Sequence, residues 1–155
     1  MIRQEKLRIC VVASSGGHLS QLLKLADSWA GYGTFCITTT DIVRAKLEKY
    51  GKTYVVGECN RQHPFKLAVV LIRCLSAVLR EKPKVVISTG AATGCITCFL
   101  GKIIGAKVIW IDSITNVNKL SFSGRLVRHI ADLLLVQWPE LADQYEKAEY
   151  VGTVI

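Results

Sequence analysis

The chain has 155 residues, of which 50% are hydrophobic and 21% charged, with 20 Lys and Arg against 12 Asp and Glu. That is about one ordinary domain with enough apolar material for a full core, which excludes a disordered tail and a miniature scaffold. No apolar run reaches the ~20 residues of a spanning helix, and the polar Met1–Lys6 lacks the apolar stretch of a secretory signal, so neither a transmembrane nor an exported protein is expected. In chain order, Arg8–Ala13 reads as a first strand. His18–Ala30 reads as a helix, because Leu19, Leu22, Leu23, Ala26 and Trp29 recur at three- and four-residue spacing. A second strand is predicted over Thr34–Thr39, then a helix from the N-cap residue Asp41 to Tyr50 with Gly51 as its C-cap. Thr53–Val56 gives a short third strand, and a loop with Asn60, Gln62, His63 and Pro64 leads into a long helix ending near Arg80. Lys84–Ser88 is the fourth strand, followed by a Gly-rich loop at Thr89–Gly94 and a helix to about Ile104. Lys107–Ile111 is the fifth strand, Asp112–Lys119 a polar loop, Ser121–Ala131 a helix and Leu133–Val136 the sixth strand. A helix begun by Pro139 and the segment Tyr150–Gly152 finish the chain.

Strands that are continuously apolar and alternate with helices imply a parallel sheet covered on both faces. The expected fold is therefore α/β: a single doubly wound, Rossmann-like domain over residues 1–155. With the common strand order 3-2-1-4-5-6, ligands bind where the chain reverses, outside the carboxyl ends of strands one and four. The loops after those two strands are the glycine-rich ones.

Cys10, Cys36, Cys59, Cys74, Cys95 and Cys98 mostly lie inside apolar runs, as small core residues of a reducing compartment do. Cys95 and Cys98 have CxxC spacing, but with no second pair and only scattered histidines no metal site is expected. The charge is uneven. Residues 61–128 hold eleven basic and two acidic residues, whereas 129–155 hold one basic and five acidic. Such a cationic block suits phosphates on a lipid headgroup or a diphosphate substrate, or it forms a solvated face. Nucleic acid fits least, because the basic residues lie beside long apolar stretches without interleaved aromatics.

Three loops carry the chemistry. In Ser14-Ser15-Gly16-Gly17-His18, the glycines permit close backbone approach and the helix start presents free N–H groups to an anion; the alternative is a tight turn. His18 is either a base at the mouth of the cleft or a hydrogen-bonder at the helix start. In the second loop, Gly90 and Gly94 leave room for a ligand, and Thr89 and Thr93 offer hydroxyls. Asp112, Ser113 and Asn116 crowd the same sheet edge from the third. No GxxxxGK[ST] or GxGxxG motif is present, and Asp41, at the right distance for a ribose contact, reads as a helix cap, so no nucleotide cofactor is expected. The long helix adds a separate signal: Phe65, Leu67, Val69, Val70, Leu71, Ile72, Leu75, Val78 and Leu79 cover most of its surface, and Lys66, Arg73 and Arg80 recur every seven residues. Burial against a sheet explains one apolar face only, which points to a membrane surface or a partner for the rest.

Ala13–Leu22 (ASSGGHLSQL), Ser88–Gly94, Ile111–Leu126 (IDSITNVNKLSFSGRL), Ala131-Asp132 and Val136–Glu140 (VQWPE), taken in order, resemble the acceptor-side subunit of split GT-B glycosyltransferases along nearly the whole chain. That family includes the eukaryotic membrane-anchor subunit of the transferase that adds the second N-acetylglucosamine to dolichol diphosphate, and PssD-like and CpsF-like bacterial proteins of exopolysaccharide and capsule synthesis. The resemblance implies an N-terminal GT-B half that handles a lipid-diphosphate-linked sugar acceptor at the cytoplasmic face of a membrane. A separate donor-binding chain would supply the UDP-sugar, and this chain alone would be inactive or nearly so. It further implies His18 as base in an inverting transfer, with Ser15, Gly16, Gly17, Thr89, Gly90, Thr93 and Gly94 around the diphosphate. Asp112, Ser113 and Asn116 would line the acceptor pocket, and Phe65, Lys66, Arg73 and Arg80 would meet the membrane. No apolar anchor precedes the first strand, which favours the bacterial branch. The competing expectation is a noncatalytic recruiter that activates a catalytic partner at the membrane.

Overall fold

The computed structural model describes residues 7–59 and 62–154; the polar start Met1–Lys6, Asn60 and Arg61 of the loop before the long helix, and Ile155 lie outside them. Strands β1 (Arg8–Val12), β2 (Gly33–Thr38), β3 (Lys52–Val55), β4 (Val85–Ser88), β5 (Lys107–Ile111), β6 (Leu133–Val136) and β7 (Ala148–Tyr150) alternate with helices. The helices are α1 (Gly17–Lys24), α2 (Arg44–Glu48), α3 (Pro64–Glu81), α4 (Ala91–Ile103), α5 (Phe122–Val127) and α6 (Pro139–Gln144). Among the described residues the strands form one sheet in the order β3-β2-β1-β4-β5-β6-β7, every neighbour parallel. This is the predicted doubly wound order with one strand added at the edge. β7 pairs Ala148–Tyr150 with Leu134–Val136; its three residues are too short and too polar to stand out as a strand, as is usual at a sheet edge.

The sheet separates two cores. On one face Cys10, Val12, Phe35, Val86, Val108, Trp110 and Leu134 pack against α3, α4, α5 and α6. On the other, Ile9, Val11, Cys36, Ile87 and Ile111 pack with Leu19 and Leu22 of α1, Trp29 and Leu47 of α2. On that second face Ile109, Leu133 and Leu135, in the half of the sheet beyond β4, are only half-buried. Glu81, at the end of α3, ties the helix to the sheet by accepting from Arg8 of β1 and from the Tyr54 hydroxyl of β3 at 2.6 Å.

Two predicted helices break into shorter pieces. The first runs only to Lys24, and Ala26–Trp29 tightens into a 3-10 turn that delivers Trp29, 2% exposed, to the second core; Asp27 and Ser28 are weak helix formers that permit the change. The second begins with a 3-10 turn at Asp41–Val43, and the Asp41 carboxylate pairs with Arg44 Nε at 2.8 Å instead of capping. Lys49 is the C-cap of α2, and Gly51 lies beyond it, pressed on the Thr34 backbone. The predicted helix Ser121–Ala131 is shorter too: Ser121 is its N-cap, accepting from Gly124 N at 2.9 Å, and α5 ends at Val127.

In α3 the buried residues are Val70, Cys74, Ala77 and Val78. Its other apolar residues face outward: Phe65 is 88% exposed, Ile72 65% and Leu79 51%. α4 packs between α3 and α5, and it adds Phe99 and Ile103 to this outer surface while α5 adds Phe122 and Leu126. No helix of the described residues is long and apolar enough to cross a membrane.

Candidate functional site

The loops after β1 and β4 are clasped to each other through His18. Its Nδ1 lies 2.8 Å from the Thr89 carbonyl oxygen, and the Thr89 hydroxyl donates to the His18 carbonyl at 2.6 Å. A carbonyl only accepts, so Nδ1 carries a proton, and in the neutral imidazole Nε2 has the lone pair. The imidazole rests on Gly90, where a Cβ would lie 2.4 Å from His18 Cε1. Gly90 has φ 135 and ψ −165, a region open only to glycine, and the next residue, Ala91, is left-handed with φ 67. The start of α4 is thus held in an unfavourable backbone shape directly beneath the histidine.

Two cavities meet at that helix start, both lined by Ala91 and Ala92. One, of about 420 Å³, is polar, with Ser14, Ser15, Thr39, His63, Lys66 and Thr93 in its wall together with one carboxylate, Glu58. The other, of about 540 Å³, is lined by the polar side chains of His18, Ser113, Thr115, Asn116, Ser121 and Ser123 and by the apolar ones of Leu67, Ile96, Phe122 and Leu126. The N-terminus of α4, thirteen residues long, contributes free N–H groups and a positive dipole where the cavities join. A third cavity, about 280 Å³, lies beside the β6 and β7 starts, where Arg128 stacks on Tyr145.

Several predicted site residues fall elsewhere. Thr89 is fully buried and its hydroxyl is engaged by His18. Gly94 lies inside α4, where a Cβ would meet Ser88 Oγ at 2.1 Å, so it lets the helix close on β4 and lines neither cavity. Asp112 is 1% exposed; Oδ1 accepts from Ser121 Oγ at 2.6 Å and Trp110 Nε1 at 3.2 Å, and Oδ2 from Ser121 N at 2.8 Å. That carboxylate anchors the start of α5. Gly16, with φ 92, and Gly17 are exposed at the start of α1. Of the basic stripe, Lys66 lines the polar cavity, Arg73 Nη1 donates to the Val56 carbonyl at 3.2 Å, and Arg80 is exposed in the last turn of α3. Phe65 is exposed.

Other residues of the site escaped the sequence reading. Gln137, 2% exposed, donates through Nε2 to Gln21 Oε1 and to the Asp112 carbonyl, both at 2.9 Å, and accepts from Val154 N at 2.8 Å. Trp138 Nε1 donates to the Ile114 carbonyl at 2.7 Å. Together they pin the Asp112–Lys119 loop to α1 and to the end of the chain; their signal was the VQWPE stretch. Cys95 and Cys98 are buried, and desolvation pushes the Cys95 thiol up to about 11 and Cys98 higher still. Among the described residues no three His, Cys, Asp or Glu side chains are grouped to share a metal ion.

Residues 38–154 match the family described as Oligosaccharide biosynthesis protein Alg14 like. The chain belongs to that family. Among Alg14-like relatives, the mouse "UDP-N-acetylglucosamine transferase subunit ALG14" is 30% identical, over 98% of this chain and 85% of its own length. The subunit of the same name in Schizosaccharomyces pombe is 32% identical over 94% of this chain and 82% of its own. Among solved structures, MurG of Acinetobacter baumannii has a TM-score of 0.74 at 16% identity, covering 94% of this chain. A UDP-GlcNAc 2-epimerase of Methanocaldococcus jannaschii has 0.71 at 16% identity, also over 94%. At that identity the likeness is one of fold. This chain spans 45% of each of those two solved chains, so the Alg14-like fold is that of one half of a GT-B protein.

Proposed function

We propose that this chain is the acceptor-side subunit of a two-chain inverting glycosyltransferase. A donor-binding partner chain supplies a UDP-sugar, and this chain holds a lipid-diphosphate-linked sugar at the cytoplasmic face of a membrane, which it meets peripherally. The observation that carries the reading is the His18 clasp: an imidazole whose neutral form has its lone pair on Nε2, fixed in the wall of the larger cavity beside the α4 start that both cavities share. In this reading the starts of α1 and α4, with Ser15, Gly16, Gly17, Thr93 and Lys66, hold the diphosphate. His18 Nε2 takes the proton of the acceptor hydroxyl as the new glycosidic C–O bond forms on one face of the donor sugar and the bond to UDP breaks on the other, which inverts the anomeric carbon. Ser113 and Asn116 orient the acceptor sugar, with Asp112 behind them as a structural support. The relatives' shared name, a UDP-N-acetylglucosamine transferase subunit, supports both the donor class and the need for a second chain. The half-buried Ile109, Leu133 and Leu135 give that chain an apolar place to pack.

The recruiter reading is favoured by a separate observation, the outward apolar surface at Ile72, Leu79 and Ile103, which extends well away from the cavities. The test is transfer from UDP-N-acetylglucosamine to lipid extract by this chain alone, by its partner alone and by the two mixed, with His18→Ala in parallel. Transfer by the mixture alone, lost with His18→Ala while the chains still associate, is expected. Unchanged turnover of the mixed His18→Ala pair would leave this chain as recruiter only.

A further inference from the structure

The larger cavity has a mixed lining. His18, Ser113, Asn116 and Ser121 are among the polar groups in its wall, and Leu67, Ile96 and Leu126 are among the apolar ones. Leu67 is 37% and Leu126 43% exposed, so the apolar walls continue onto the outer surface of α3, α4 and α5. A wholly polar ligand would leave the leucine and isoleucine walls against water, and a wholly apolar one would strip water from the histidine and the free helix N–H groups. A charged head continued by a hydrocarbon chain satisfies both kinds of wall.

We propose that this cavity is a tail subsite: it takes the first segment of the acceptor's hydrocarbon chain, next to the diphosphate, between Leu67 of α3 and Leu126 of α5. This rests on the acceptor reading and adds to it that the protein grips the lipid itself rather than leaving the whole chain in the bilayer. Recognition of the acceptor then depends on its tail even when no membrane is present. Each methylene drawn from water into the cavity tightens binding by about fourfold, so a short chain adds tenfold or more.

The experiment is calorimetric titration of the full chain, without lipid, using farnesyl diphosphate below its aggregation concentration, inorganic diphosphate and farnesol as probes. Farnesyl diphosphate should bind at least about tenfold more tightly than inorganic diphosphate. Leu126→Gln and Leu67→Gln, both at partly exposed positions that tolerate a polar side chain, should shrink that ratio toward one and leave inorganic diphosphate unchanged. Ile72→Ser, on the outer surface away from the cavity, should leave the ratio intact. Equal affinity for the two diphosphates would overturn the tail subsite while the diphosphate cradle stands. A ratio lowered by Ile72→Ser but not by Leu126→Gln or Leu67→Gln would overturn it too, placing the tail on the outer face. Binding of neither diphosphate would remove the acceptor reading and this inference with it.

Discussion

Gly90→Ala is the most telling single change, because it should act on catalysis through His18 alone. An added Cβ would sit 2.4 Å from Cε1 and 2.5 Å from Nδ1 of the imidazole. Ordinary contact is ~3.5 Å or more, so the ring must retreat by about 1 Å. That distance lengthens the Nδ1 bond to the Thr89 carbonyl, now 2.8 Å, and moves Nε2 off line. A displacement of that size costs about 100-fold in turnover. The backbone adds its own cost, since alanine at φ 135 and ψ −165 is strained by about 1–3 kcal/mol. His18→Ala removes the proposed base outright and should lower turnover by about 10² to 10⁴. The decisive comparison is the double variant: if Gly90 matters only by placing the ring, Gly90→Ala with His18→Ala is no slower than His18→Ala alone. Gly101→Ala serves as the stability control, because its Cβ would lie 2.5 Å from Val86 Cγ2, far from the histidine. It should destabilise by about 1–3 kcal/mol and leave turnover of the folded protein unchanged. Turnover is measured with the partner chain and saturating UDP-N-acetylglucosamine, and stability by urea titration. A folded Gly90→Ala protein with wild-type turnover, or a double variant whose losses multiply, would refute the assignment of the base.

Three further outcomes are expected. Ala91→Gly should raise the urea midpoint, because glycine relieves a left-handed alanine that costs about 1–2 kcal/mol. Asp112→Ala should destabilise by about 2–5 kcal/mol, since it leaves Trp110 Nε1 and Ser121 N without their acceptor, and circular dichroism melts should show this before any acceptor is added. Asp132 accepts from Lys102 Nζ at 2.8 Å, Val108 N at 2.8 Å and Lys107 Nζ at 3.3 Å. The Lys102 ammonium first, then the Val108 amide, hold its carboxyl at about 2, below the ordinary 3.8. Its contribution to stability is therefore complete above the unfolded value and is lost as pH falls from 3.8 through about 2. Asp132→Asn should flatten the acid limb of a pH-stability profile in that window.

The strand pattern was legible because the inner strands carry apolar residues on both faces and so read as unbroken apolar runs, as Lys107–Ile111 and Leu133–Val136 do with their predicted bounds intact. The helices were less so. Trp29 and Asp41 both suited a regular helix by spacing or residue type, and the choice of a 3-10 turn rests on how deep Trp29 must reach and on the nearness of Arg44. The basic stripe of α3 shows the same limit. Lys66, Arg73 and Arg80 share a line along the helix by their spacing, yet that line passes a cavity, a strand end and open solvent in turn. Periodicity fixes which residues share a face, and only the neighbouring elements fix what that face meets.

Within the candidate site, the glycine-rich loops pointed to the sheet edge where the two cavities open but could not sort cavity-lining groups from those packed inside the protein. Thr89, Gly94 and Asp112 have the residue types of a binding site, and all three are consumed by contacts inside the protein. What sorts them is strain. Gly90 in a glycine-only conformation and Ala91 left-handed stand in succession at one helix start, at a cost of about 1–3 kcal/mol for a non-glycine residue so placed. Packing alone offers no reason to keep it, because the regular approach of α4 to β4 is made further along, at Gly94 and Gly101. The pair does one other thing: it clears the space that His18 occupies, at a helix start that lines both cavities. Among the described residues, a left-handed alanine that follows a glycine-only conformation, beside a histidine and at the helix start that lines both cavities, sets this edge of the sheet apart.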